Sequence, residues 1–196
     1  MAEHLDSGRQ RAKCARIGHA FDPNLTIAPI PQSRLANEYV SYLLQKLHGL
    51  EASAPAFAIA AKEIATARAD GGQGLVYIDA HMVSREIDGP DDPLHLTTVA
   101  DPPKLQKGDA LLGLGYMGVP EPVEAAAEAA GVRTTWFVAP TPAGSPVVGP
   151  LSRWIDAGWR PGDFAVRLPG YDVGALPPSG ILQLTAYGAV AAASHA

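Results

Sequence analysis

The sequence predicts a doubly wound α/β domain, with about five parallel strands between two layers of helix. Three observations carry that prediction. Candidate strands over 75–78, 109–114 and 132–138 alternate with helical patterns rather than with hairpin turns. Residues 109–114 form a short apolar run without polar alternation, as a strand covered on both faces does. Residues 108–138 read without a break as strand, glycine-rich turn, helix and strand, which is a βαβ unit.

Composition bounds the class. The 196 residues suffice for one domain with its own core. Hydrophobic residues make up 47% and charged residues 18%, which does not suit a disordered chain. A net charge of −5 argues against a nucleic-acid partner held by electrostatics. No apolar run approaches the roughly 20 residues that span a bilayer, so no membrane partner is expected. The opening Met1-Ala-Glu-His-Leu-Asp lacks the pattern of a signal peptide, and a cytoplasmic location is expected. A single cysteine, Cys14, rules out an internal disulfide and a cysteine-cluster metal site.

The elements follow in order. Residues 1–35 read as an N-terminal arm, basic at Arg9, Arg11, Lys13 and Arg16, with Pro23, Pro29 and Pro31 preventing a continuous helix. Residues 36–196 form the domain. Tyr39, Leu43, Leu47 and Leu50 recur at helical spacing behind Asn37 as a cap, giving a helix over 38–50. His48, near its end, reads as a surface or dipole-pairing residue. Pro55 opens a second helix, 56–69, through Phe57, Ala60 and Ile64, and Gly71-Gly72 ends it.

Strand 75–78 runs into a turn at Asp79-Ala80-His81 and a short helix through Glu86, and Leu94–Val99 reads as a second strand. Strand 109–114 leads to Gly113, Gly115 and Gly118. Pro120 and Glu121 suit the first turn of helix 121–130, and Gly131 suits its C′ position. Strand 132–138 precedes a proline- and glycine-rich connection, 139–162. Asp163–Leu168 reads as the last parallel strand. Ser179 or Pro178 opens a final helix, 180–193, with Ile181, Leu184, Thr185 and Gly188 on one face. Trp136, Trp154 and Trp159 read as core or interface residues. The whole predicts a flavodoxin-like αβα sandwich.

The spacing Gly113-x-Gly115-x-x-Gly118 matches the dinucleotide fingerprint. Such a site also needs a carboxylate near the end of the next strand, which here reads Val138-Ala139-Pro140-Thr141. Pro120 and Pro122 occupy the place where the helix should pack closely on the sheet. A nucleotide-dependent oxidoreductase is therefore a lesser alternative. Glycines that only turn the chain tightly are the plain one.

The element order over 37–194, with His81-Met82-Val83-Ser84-Arg85-Glu86 after the first strand and Gly108–Ala130 beyond it, resembles the SIS (sugar isomerase) domain family. The resemblance implies a phosphosugar at the carboxyl edge of the sheet, in a dimer or tetramer whose subunits share sites. The family's phosphate loop reads Ser-x-Ser-Gly-x-Ser/Thr. The matching positions here are Gly115, Tyr116, Met117, Gly118, Val119 and Pro120, so every hydroxyl but that of Tyr116 is gone. Asp79-Ala80 also replaces a small pair in the first loop.

The resemblance implies a ligand set of Gly115, Tyr116, Met117, Gly118 and Val119, with Ser84 and Ser179 completing it. The backbone amides of Met117, Gly118 and Val119 are expected to face an anion at the helix N-terminus. For aldose–ketose isomerisation Glu86 would serve as base and His81 as acid/base or ring-opener. The alternative has Glu86 paired with Arg85 or Arg133, and His81 capping the turn. Ser179 equally reads as a helix N-cap. His95, beside Asp91-Asp92, lacks further metal ligands, and neither a metal nor a cofactor is expected.

Two readings head the list. One is a SIS-like protein binding a sugar phosphate or related acidic metabolite, with or without aldose–ketose isomerase activity. The other is a non-catalytic, degenerate SIS-like subunit acting in assembly or regulation. The broad apolar faces of helices 38–50 and 56–69 point to a homo-oligomer in either case.

Overall fold

The computed structural model describes residues 32–79, 87, 92–99, 104–159, 162–168 and 174–195. Helix α1 (Gln32–Leu50) passes through a 3-10 turn, Glu51–Ser53, into α2 (Ala54–Ala69). Then come β1 (Gly74–Ile78), β2 (Thr97–Thr98), β3 (Ala110–Met117), α3 (Glu121–Ala130), β4 (Arg133–Ala139) and β5 (Ser152–Asp156). A hairpin of β6 (Val166–Arg167) and β7 (Gly174–Ala175) precedes α4 (Ser179–Ser194). Five strands form one parallel sheet in the order β2-β1-β3-β4-β5. This is the flavodoxin-like strand order, as the sequence predicts.

The pleat divides the apolar strands between two layers. Val76, Leu112, Leu114, Phe137 and Ile155 join Phe57 and Ile64 of α2 and Leu182, Tyr187 and Val190 of α4. On the other face Leu75, Tyr77, Leu111, Trp136 and Val138 pack on Val123 and Ala127 of α3. Gly131 closes α3 in the left-handed region at φ 70°, the backbone its C′ role requires.

A buried carboxylate fixes the long connection after β4. Glu124 of α3 accepts from Trp136 Nε1 at 2.7 Å and from the Gly149 amide at 2.8 Å. The connection therefore returns along α3 to start β5. There Arg153 forks onto both carboxylate oxygens of Glu63 in α2 and donates to Thr135 Oγ1 at 3.0 Å.

Four expectations need correction. The run 163–168 is not a strand of the parallel sheet: Val166–Arg167 pairs antiparallel with Gly174–Ala175, away from it. The fifth parallel strand is Ser152–Asp156, inside the stretch read as a connection. Leu94–Val99 contributes only Thr97–Thr98, because Leu94 and Leu96 turn into the core ahead of the ladder. Helix α1 starts at Gln32, ahead of the expected limit of the arm, so Asn37 lies inside it and caps nothing. Among the described residues no helix is long and apolar enough to cross a membrane.

Candidate functional site

From β1 the chain runs to β2 on one side, and β3 lies on the other, so the strand order reverses there. In open parallel sheets ligands lodge at the carboxyl ends of the two strands flanking such a point. Here those ends carry Asp79 and the loop Tyr116–Val119. Asp79 is exposed, and its N–H donates to the Leu114 carbonyl at 2.9 Å.

The loop is built on a bulge. Pairing of β3 with β4 shifts between Leu114 and Met117, which sets Gly115 and Tyr116 out of register. Gln183 Nε2, from α4, donates to the Gly115 carbonyl at 2.8 Å. Trp159 Nε1 donates to the Tyr116 carbonyl at 2.9 Å. Gly118 takes a left-handed φ of 69°, and its N–H donates to the Ala139 carbonyl at 2.8 Å.

This geometry changes the expected anion cradle. Of the three amides expected to face an anion, that of Gly118 is consumed within the fold. Pro120 and Pro122 have no N–H to offer, and the amides of Val123 and Glu124 both turn back to the Pro120 carbonyl. Glu121 and Glu124 stand in the first turn of α3. The positive end of that helix is thus already met by carboxylates.

A second carboxylate closes the neighbouring helix. Asp163, 6% exposed and at φ 50°, accepts from the Ser179 amide at 3.1 Å and from Ser179 Oγ at 2.6 Å. Ser179 is the first residue of α4, and its hydroxyl serves Asp163 instead of capping the backbone. Burial raises the Tyr116 phenol above its ordinary pKa, and the Asp163 charge adds to the rise. At neutral pH Tyr116 is therefore a protonated hydroxyl close to a carboxylate.

The structure brings Gly115, Tyr116, Met117, Gly118 and Val119 together at one edge, and Ser179 stands beside them through Asp163 and Gln183. His81, Ser84 and Glu86 lie outside the described residues. Asp163 and Gln183 escape the sequence reading as site residues. The one available signal is that Gln183 follows Ser179 by four, on the same helical face. Among the described residues no group of three or more His, Cys, Asp or Glu is placed to hold a metal ion.

Two further clefts are lined by described residues. One of about 280 Å³ at the amino edge of the sheet sets Lys107 and Arg133 among Glu63, Asp70 and Asp109. The other, about 710 Å³, runs beside α1 past Arg34, Glu38 and Tyr42. Neither is lined by the Tyr116–Val119 loop.

No protein-family model matches the chain, and no curated protein matches it. The functional reading therefore rests on the fold and on the residues of this edge.

Proposed function

We propose that this chain is a SIS-like cytoplasmic protein that binds a sugar phosphate or a related acidic metabolite at the carboxyl edge of β1 and β3. One observation carries the reading: the strand order reverses between β1 and β3, and the Tyr116–Val119 loop lies at that reversal ahead of α3. The left-handed Gly118 and the bulge at Gly115–Tyr116 shape the loop for close approach. With few loop hydroxyls and no Lys or Arg in 108–132, the ligand's hydroxyls supply most of the affinity. If the protein is an isomerase, His81 and Glu86, which follow Asp79 in the chain, are its acid and base.

A thermal-shift screen of sugar phosphates and nucleotides against the parent and Tyr116→Ala tests this. A sugar phosphate should stabilise the parent and lose most of that effect in the variant. A nucleotide that stabilises both equally would point away from this edge.

A second reading, a non-catalytic SIS-like assembly subunit, draws on exposed apolar residues of two helices in contact. Val40 and Leu44 of α1 are 52% and 51% exposed, and Ile181 and Leu184 of α4 are 44% and 39% exposed. Tyr39 of α1 donates to the Pro177 carbonyl just before α4, so the two helices are neighbours. A homodimer or larger assembly is proposed under either reading.

A further inference from the structure

Gln183 is 0% exposed, yet only half of its amide is used. Its Nε2 holds the Gly115 carbonyl at 2.8 Å, while its Oε1 has no hydrogen-bond partner. The modest net gain of the one bond is offset by the desolvated oxygen, so an apolar side chain of similar shape would fill the space at little cost. What such a side chain lacks is a donor that fixes the Gly115 carbonyl. That carbonyl sits in the bulge from which Tyr116 projects, and the next carbonyl, that of Tyr116, is held by Trp159. Two side chains from two segments thus pin two consecutive carbonyls of one loop.

The surrounding charge says what the pinned loop suits. Asp79, Asp163 and Glu121 accept hydrogen bonds, while Pro120 and Pro122 donate none. A neutral phenol near the Asp163 carboxylate matches a ligand rich in hydroxyls better than a bare anion.

Resting on the ligand reading above, we propose that Gln183 is a positioning residue: by clamping the Gly115 carbonyl it presents the Tyr116 hydroxyl to a polyhydroxylated ligand at this edge, with Trp159 as the second clamp. Gln183→Met in the full chain keeps the bulk and removes both amide groups. It should melt within about 3 °C of the parent. The Tyr116 titration, read by absorbance as the difference from Tyr116→Phe in the same background, should fall toward the ordinary phenol range. Trp159→Phe keeps a ring against Phe137, loses the indole N–H and should act the same way. Should Gln183→Met fail to fold, Trp159→Phe carries the test.

Fructose 6-phosphate and sorbitol serve as probes. Either should bind the parent at least tenfold more tightly than it binds Gln183→Met. An unchanged Tyr116 titration in both variants overturns the positioning role. A shifted titration with neither probe stabilising the parent upholds the clamp and overturns the ligand reading.

Discussion

The benzo ring of Trp136 lies against the α-carbon of Gly113, its partner in the β3–β4 ladder: a Cβ added to Gly113 would stand 1.9 Å from Trp136 Cε3. The ring cannot retreat, because Trp136 is fully buried and meets Tyr77 edge-on at 6.0 Å. Gly115 likewise gives way to Val138, whose Cγ1 would stand 2.6 Å from an added Cβ. Two glycines of the fingerprint are accounted for by neighbouring side chains. Gly113→Ala should lose about 3 kcal/mol, the upper end for overpacking, in urea denaturation. Adding Trp136→Leu should restore a large part of that loss. Parental stability in the single variant would mean that the ring is not there.

Glu124 leads to a second expectation. Replacing it with Leu strands the Trp136 indole N–H and the Gly149 amide without their acceptor. The cost should be about 2–4 kcal/mol, since each orphaned buried donor carries its own desolvation penalty. Gln keeps one acceptor and should lose less. Equal losses for Leu and Gln would show that the two bonds matter little.

Tyr116 predicts a pH dependence. Its folded pKa is raised, so the native state holds the phenol proton more tightly than the unfolded chain does. This contribution is complete below about pH 10, the ordinary phenol value, and is lost as pH rises through the folded value. Stability measured between neutral and alkaline pH should fall more steeply for the parent than for Tyr116→Phe. Parallel curves would refute the shift.

Gly118 combines a φ of 69° with a neighbour, Thr141 Cγ2, that would lie 2.7 Å from an added Cβ. Gly118→Ala should therefore cost about 1 kcal/mol or more, from backbone strain and from the contact. Differential scanning calorimetry would show it as a lowered melting temperature. Loss of ligand in such a variant would mix stability with binding, which makes Tyr116 the cleaner position to probe.

Assembly is open to a direct measurement. Light scattering at tens of micromolar protein should give at least a dimer. Leu44→Glu with Leu184→Glu should return it to a monomer that still melts cooperatively. A monomeric parent would remove the assembly reading.

The sequence revealed most where burial was complete. Residues 110–114 are covered on both faces, and an unbroken apolar run says so. Helix α3 announced itself through Pro120, Glu121 and Gly131. Strand β5 stayed hidden because it lies at the edge of the sheet: only Ile155 of Ser152–Asp156 is buried, and Arg153 faces Glu63 rather than apolar neighbours. Asp163–Leu168 misled for the opposite reason. Ala165 lies beside α1 and Val166 sits in an antiparallel pair with Ala175, and a run of six cannot distinguish that from a central strand. The loop at 115–119 was legible as a turn, but its glycines could not disclose that Trp136 and Val138 required two of them. The roles of Gln183 and Asp163 depend on contacts across 68 and 16 residues, which no local pattern encodes.

Each tryptophan donates its indole N–H to a different part of the fold: Trp136 to Glu124, Trp154 to the Val138 carbonyl at 2.9 Å, and Trp159 to the Tyr116 carbonyl. Indole emission responds to the partner of that N–H and to the water around the ring. Three variants that each retain one tryptophan would therefore resolve, by colour, the seam under α3, the sheet edge at β5 and the ligand loop. Such a set would show which of the three loosens first on heating, and whether a bound sugar quiets the loop alone or the whole sheet.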